Sequence, residues 1–71
     1  MREITERDKD IFNFINDFIN ENHYSPSLRE ICEGVYLSKP VVQKHLMRMV
    51  ECGYLSIQPK TARSIVVKIA I

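Results

Sequence analysis

An α+β fold of three helices followed by a two-stranded antiparallel hairpin is predicted by three features of this 71-residue sequence. Apolar residues recur at helical spacing in three blocks before residue 53. Each block is preceded by a Ser or Thr suited to capping a helix start. After Gly53 the apolar period drops from 3.6 to 2.

The first helix is expected from Thr5 to about Asn22. Thr5 is a plausible N-cap, Asp8 stands three residues on as in a capping box, and acids crowd the first turn. Ile11, Phe12, Phe14, Ile15, Phe18 and Ile19 project within an arc of about 160° and form the main predicted contribution to the core. His23 to Pro26 form a connector, because proline disfavours helix at the residue before it. Ser27-Leu28-Arg29-Glu30 is a second capping box, and Leu28, Ile31, Cys32 and Val35 continue it as a helix of about two turns. Tyr36 and Leu37 make a tight connection to the third helix, Ser38 to Gly53. There Ser38 is the expected N-cap, Pro40 suits the first turn and Gly53 supplies a left-handed stop. Val42, Leu46, Met49 and Val50 fall on one side of this helix, and Pro40, Val41, Lys44, Met47 and Arg48 on the other. Leu55 and Ile57, then Ile65, Val67, Ile69 and Ile71, alternate with their neighbours as two strands around a polar loop, Pro59 to Ser64, that holds Lys60 and Arg63. Helix, helix, helix, hairpin is the order of a winged helix-turn-helix, here one domain over residues 1–71.

Composition narrows the function. A chain this short buries only about 60% of its extended-chain surface, which leaves little room for an enclosed active site. No apolar run approaches the length of a membrane span, and the charged N-terminus lacks the apolar core of a secretory signal, so a cytoplasmic protein with reduced cysteines and no membrane partner is expected. The net charge of +1 conceals a division. Residues 1–37 hold four cations against eight acids, a net −4, and residues 38–71 hold six cations against one acid, a net +5. A basic half of this kind attracts polyanions through its local field.

Metal and catalytic chemistry are not indicated. Cys32 and Cys52 lie far apart without a C-x-x-C pair, and His23 and His45 lack the spacing of a zinc site. No nucleophile is paired with a base, and no glycine-rich phosphate loop is present. The expectation is a non-enzyme without cofactor or metal.

Nearly the whole chain resembles the N-terminal DNA-binding domain of the LexA repressors of the bacterial DNA-damage response. The resemblance rests on Ile4 to Arg7, Tyr24 to Ile31, Leu37-Ser38, His45-Leu46, Gly53 to Leu55 and Pro59 to Ile65. It implies a DNA-binding transcriptional regulator, and by position it carries base-reading roles to Ser38, Pro40, Val41, Gln43 and Lys44. Three departures accompany it. Tyr36 stands where the LexA-like domain has a turn glycine, with Gly34 displaced into the second helix, so a differently built turn is expected. Lys39 to Lys44 are particular to this sequence, so the operator need not be that of LexA. The sequence stops at Ile71, before any linker, cleavage bond or Ser/Lys protease domain, so self-cleavage is not expected of it.

Side-chain chemistry fits a DNA reading. Lysine can donate to guanine and glutamine can pair with adenine, which places Lys44 and Gln43 at base edges, with Val41 toward a thymine methyl. Lys39 and Arg48 are expected at phosphates, and Lys60 and Arg63 at the backbone or minor groove. Arg7, Arg29 and Ser27, at helix starts, are further phosphate candidates, with Thr5. The expected function is a sequence-specific repressor of double-stranded DNA, paired as a homodimer on a palindromic operator and suited to a phage or mobile element. The alternative is a protein-interaction module that docks on a protein partner, supported by the low net charge and by Val41 and Met47 on the outer helix face.

Overall fold

A computed structural model describes residues 4–58 and 63–68 of the chain. Its elements are α1 (Glu6–Asn22), α2 (Leu28–Val35), α3 (Lys39–Glu51), β1 (Leu55–Ile57) and β2 (Ile65–Val67). The strands pair antiparallel in the register Leu55 to Val67, Ser56 to Val66 and Ile57 to Ile65. The fold is the predicted winged helix-turn-helix. Lys60 with the rest of 59–62, and the expected strand residues Ile69 and Ile71, lie outside the described residues.

Local chemistry sets the helix starts. Thr5 and Ser27 each accept a hydrogen bond from the backbone N–H three residues on, and the Asp8 and Glu30 carboxylates accept one in return from the Thr5 and Ser27 N–H groups. These are complete capping boxes, and they satisfy donors that a helix start otherwise leaves open. Ser38 is the N-cap of α3, as expected, in extended conformation, but its side chain makes no cap hydrogen bond. Pro40 in the first turn fixes the helical φ there instead.

All three helices end in a left-handed residue, and only one of these is glycine. His23 (φ 64°) ends α1, Tyr36 (φ 59°) ends α2 and Gly53 (φ 87°) follows α3. The Tyr54 N–H reaches the Met49 carbonyl and the Gly53 N–H that of Val50, the paired bonds of a Schellman ending. Leu37 makes the corresponding bond to Cys32 at 3.1 Å. The expectation that Tyr36 rebuilds the turn is therefore corrected. The turn takes the left-handed form with tyrosine in it, at a cost of roughly 1 kcal/mol. Gly34 is required one turn earlier for a different reason: a Cβ there would lie 2.2 Å from the Phe14 ring.

Ile11, Phe12, Ile15, Ile31, Val42, Leu46, Met49, Leu55 and Ile65 form the buried core where the three helices meet the inner face of the hairpin. Of the six α1 residues expected there, Phe14 and Ile19 are half-buried against it. Phe18 is also half-buried, and it stacks edge-on with Tyr24 and tilted against Phe14, so an aromatic row flanks the core.

Among the described residues one charged side chain, that of Asp8, is fully buried. Asp8 accepts from the Thr5 N–H at 2.9 Å and meets His45 Nδ1 at 2.5 Å and Arg48 Nε at 3.4 Å. An ionised carboxylate only accepts, so Nδ1 of His45 carries the proton in this bond. Burial, the largest single influence, opposes the charge on Asp8, but the Thr5 and His45 hydrogen bonds together outweigh it and hold the carboxyl below its ordinary range. The first turn of α1 is thereby tied to the middle of α3.

Three measurable consequences follow from this packing. Tyr36→Gly should stabilise the domain by about 0.5–1 kcal/mol in urea unfolding, since relief of the left-handed strain exceeds the backbone entropy that glycine adds. Gly34→Ala should destabilise it by about 1 kcal/mol, because displacing the Phe14 ring costs more than alanine's helix preference returns. Asp8→Asn should cost about 2–3 kcal/mol at neutral pH. Because the folded-state carboxyl is lowered, that contribution is present above the unfolded value near 3.9 and fades as pH falls through the lower folded value. Urea midpoints of wild type and variant should therefore converge on acidification.

Candidate nucleic-acid interface

The outward side of α3 assembles most of the predicted reading residues. Val42, Leu46 and Met49 bury the inner side, and helical geometry then leaves Lys39, Pro40, Val41, Gln43, Lys44 and Met47 exposed, with Ser38 exposed before them. Met47 retains 60% of its accessible surface. No acid occupies the first turn of α3, and no described carboxylate forms an ion pair with Lys39 or Lys44. A groove of about 570 Å³ runs between this face, the start of α2 and the hairpin, floored by Leu28, Leu46, Ile57 and Ile65 and edged by Gln43 and Lys44.

Other predicted contacts are arranged differently. Ser27 is occupied by its capping box: its N–H donates to Glu30 and its hydroxyl accepts from the Glu30 N–H. Thr5 is likewise held by Asp8, so neither residue presents a free N–H to phosphate. Arg29 pairs with Glu33 at 3.3 Å, one turn along α2, where both side chains are well exposed and the pair is weak. Arg7 is exposed on the first turn of α1. Arg48 is half-exposed and leans on Asp8, so its charge is partly spent inside the fold.

Arg63 departs most from expectation. Its guanidinium donates to Glu30 Oε1 at 2.7 Å and Oε2 at 3.2 Å, and to the Ser25 carbonyl at 3.2 Å. It also lies 4.8 Å from the centre of the Tyr24 ring, within cation–π range. The Arg63 hydrogen bond is the main reason the Glu30 carboxyl is held below its ordinary range, and Glu30 raises Arg63 in turn. The guanidinium donors are thus turned toward α2 and the connector before it, where an arginine offered to phosphate was expected. Backbone at Arg63 is left-handed (φ 55°), a conformation that its side-chain bonds help to hold.

Asp8, His45, Glu30 and Tyr24 are the structural participants that site reasoning from sequence passed over. The two capping boxes were legible signals for Asp8 and Glu30, but their second partners lie 37 and 33 residues away. Cys32 and Cys52 are free and half-buried. Among the described residues, no group of three or more His, Cys, Asp or Glu side chains is placed to hold a metal, and no helix is long and apolar enough to cross a membrane.

Comparison with known proteins agrees with this geometry. The chain is 41% identical over 63 residues to the LexA repressor of Carboxydothermus hydrogenoformans, covering 87% of this chain and 31% of that protein. It is 42% identical over 66 residues to the LexA repressor of Staphylococcus aureus, covering 92% and 32%. The Thermosipho africanus LexA repressor is 37% identical over 65 residues, covering 92% and 33%. The chain thus spans about a third of the length of these relatives. The family profile described as the LexA DNA binding domain matches residues 1–64. That match takes in all three helices and β1 and stops just before β2, and the chain belongs to the LexA DNA-binding domain family.

Proposed function

We propose that this domain is a sequence-specific, double-stranded DNA-binding repressor that lays α3 in the major groove. The observation that carries the reading is the outward face of α3: Lys39, Pro40, Val41, Gln43 and Lys44 are exposed together, with no acid in the first turn. Lys44 and Gln43 would donate and accept at base edges, Val41 would pack on a thymine methyl, and Ser38 and Lys39 would meet the adjacent phosphates. Pro40 stiffens the first turn that presents them. Arg7 and Lys60 are secondary phosphate candidates. Arg48, shared with Asp8, retains enough exposure to approach the backbone. Cytoplasmic location accompanies this function.

A single half-site offers few cations, so useful affinity would come from two copies on a palindrome, with half-site spacing set by one helical turn of DNA. A second reading, docking on a protein, draws on the apolar groove and on exposed Val41 and Met47. Nuclease-treated lysate separates the two, because only a protein complex would survive removal of DNA.

Selection from a random duplex library should return a palindromic motif, and the absence of any enriched sequence at low salt would defeat the DNA reading. On the selected duplex, Lys44→Ala should cost about 1–3 kcal/mol and relax preference at one position. Lys39→Ala should weaken all duplexes alike and reduce the salt slope by about 1. Fluorescence anisotropy across a salt series distinguishes the two effects.

A further inference from the structure

We propose that Glu30 and Arg63 form a strut that fixes the hairpin against α2, so that Arg63 is a positioning residue for DNA recognition and is held off the phosphates. The inference rests on the DNA-binding reading above and assigns a different task to Arg63, a loop cation that charge alone would send to phosphate.

Four observations converge on it. The guanidinium engages both oxygens of one carboxylate, at 2.7 and 3.2 Å, the two-point geometry that fixes orientation as well as distance. A third bond reaches the Ser25 carbonyl in the connector between α1 and α2. The fourth contact is the Tyr24 ring, which continues through Phe18 to Phe14 and so braces the guanidinium against α1. Glu30 is itself fixed, since the same Oε1 that meets Arg63 accepts the Ser27 N–H at 2.8 Å. A carboxylate locked to its own helix start is a rigid anchor, and the arginine that grips it carries β2 with it, two residues along the chain.

The mechanical need is clear from the packing. The hairpin has two strands of three described residues each, too few to be stable alone. Its apolar inner side holds it to the core through Leu55 and Ile65, and Arg63 supplies the contact to the start of α2. The hairpin and α3 form opposite walls of the groove that begins at Pro26 and Leu28. With the strut closed, the groove has one width and a duplex is read by both walls in one register. With it open, the hairpin can shift and an additional cation is released to phosphate.

Glu30→Gln, Arg63→Gln and the double variant test this. Glutamine can keep the Ser27 capping box, so α2 should survive the first substitution, and Arg63→Gln changes only a partly exposed side chain. Each single variant should speed amide hydrogen exchange at Ile65 to Lys68 with α1 unchanged, and should lower the ratio of selected-site to scrambled-duplex affinity by about tenfold. The salt dependence then identifies the role of the cation. Glu30→Gln should steepen the slope of log affinity against log salt by about 0.9 as the released arginine finds a phosphate, while Arg63→Gln and the double variant keep the wild-type slope. A slope shallower by about 0.9 in Arg63→Gln, with Glu30→Gln unchanged, would show Arg63 already on phosphate and overturn the proposal. Unchanged hairpin exchange in both single variants would overturn it as well. Failure of the wild-type domain to bind any duplex would defeat the DNA reading alone, and hairpin exchange would still decide whether the strut exists.

Discussion

Two carboxylates, each used twice, hold this domain together. Asp8 and Glu30 occupy the same place in two capping boxes, and each closes its own helix start while gripping a cation from the other half of the chain. Asp8 ties α1 to His45 and Arg48 of α3, and Glu30 ties α2 to Arg63 beside β2. The acidic first half and basic second half are thus partly an internal pairing. Their charge division is as much a device for orienting α3 and the hairpin as a field for attracting phosphate. A capping carboxylate suits the task because its helix has already fixed it, so little further side-chain entropy is lost when the cation arrives.

The turn between α2 and α3 shows how packing and backbone conformation exchange a constraint. Left-handed backbone at Tyr36 would favour glycine, and the contact between α2 and Phe14 demands a residue without Cβ at Gly34. This sequence places its glycine where a Cβ would displace the Phe14 ring and accepts strain at the left-handed position instead. A tyrosine with 91% of its surface exposed gains little from packing, so the Leu37 to Cys32 bond and the burial of the flanking helices must sustain that strain.

What could be read beforehand follows the range of each interaction. Helix starts, helix ends and strand periodicity depend on residues within four positions of one another, and α1, α2, α3 and the hairpin accordingly stand where the patterns place them. The inner and outer sides of α3 were legible for the same reason, since a fixed 100° per residue assigns Val42 and Leu46 to one side and Val41 and Lys44 to the other. Long-range pairing has no such signature. Nothing near Arg63 in the sequence reveals that Glu30 waits for it, and charge type alone reads a loop arginine as a phosphate ligand. Phe18 fails for a related reason: its helical phase points it toward the core, but Tyr24 and Phe14 draw its ring to the flank.

These internal pairings sharpen where recognition can reside. Once Arg63 is committed to Glu30 and Arg48 shared with Asp8, the exposed described cations on α3 that lack a carboxylate partner are Lys39 and Lys44. Two lysines on that helix make a small electrostatic contribution, and counterion release from so few contacts supplies only modest nonspecific affinity. On the proposed reading, fit then joins the base-edge contacts of Gln43 and Lys44 in discriminating between sequences: a stiff first turn at Pro40, a valine and a methionine that would test for methyl groups, and a hairpin wall held at fixed distance. A domain that relied on fit as well as charge would lose more from a loosened hairpin than from a lost cation, and under the proposed strut a carboxylate that touches no DNA would become part of how DNA is read.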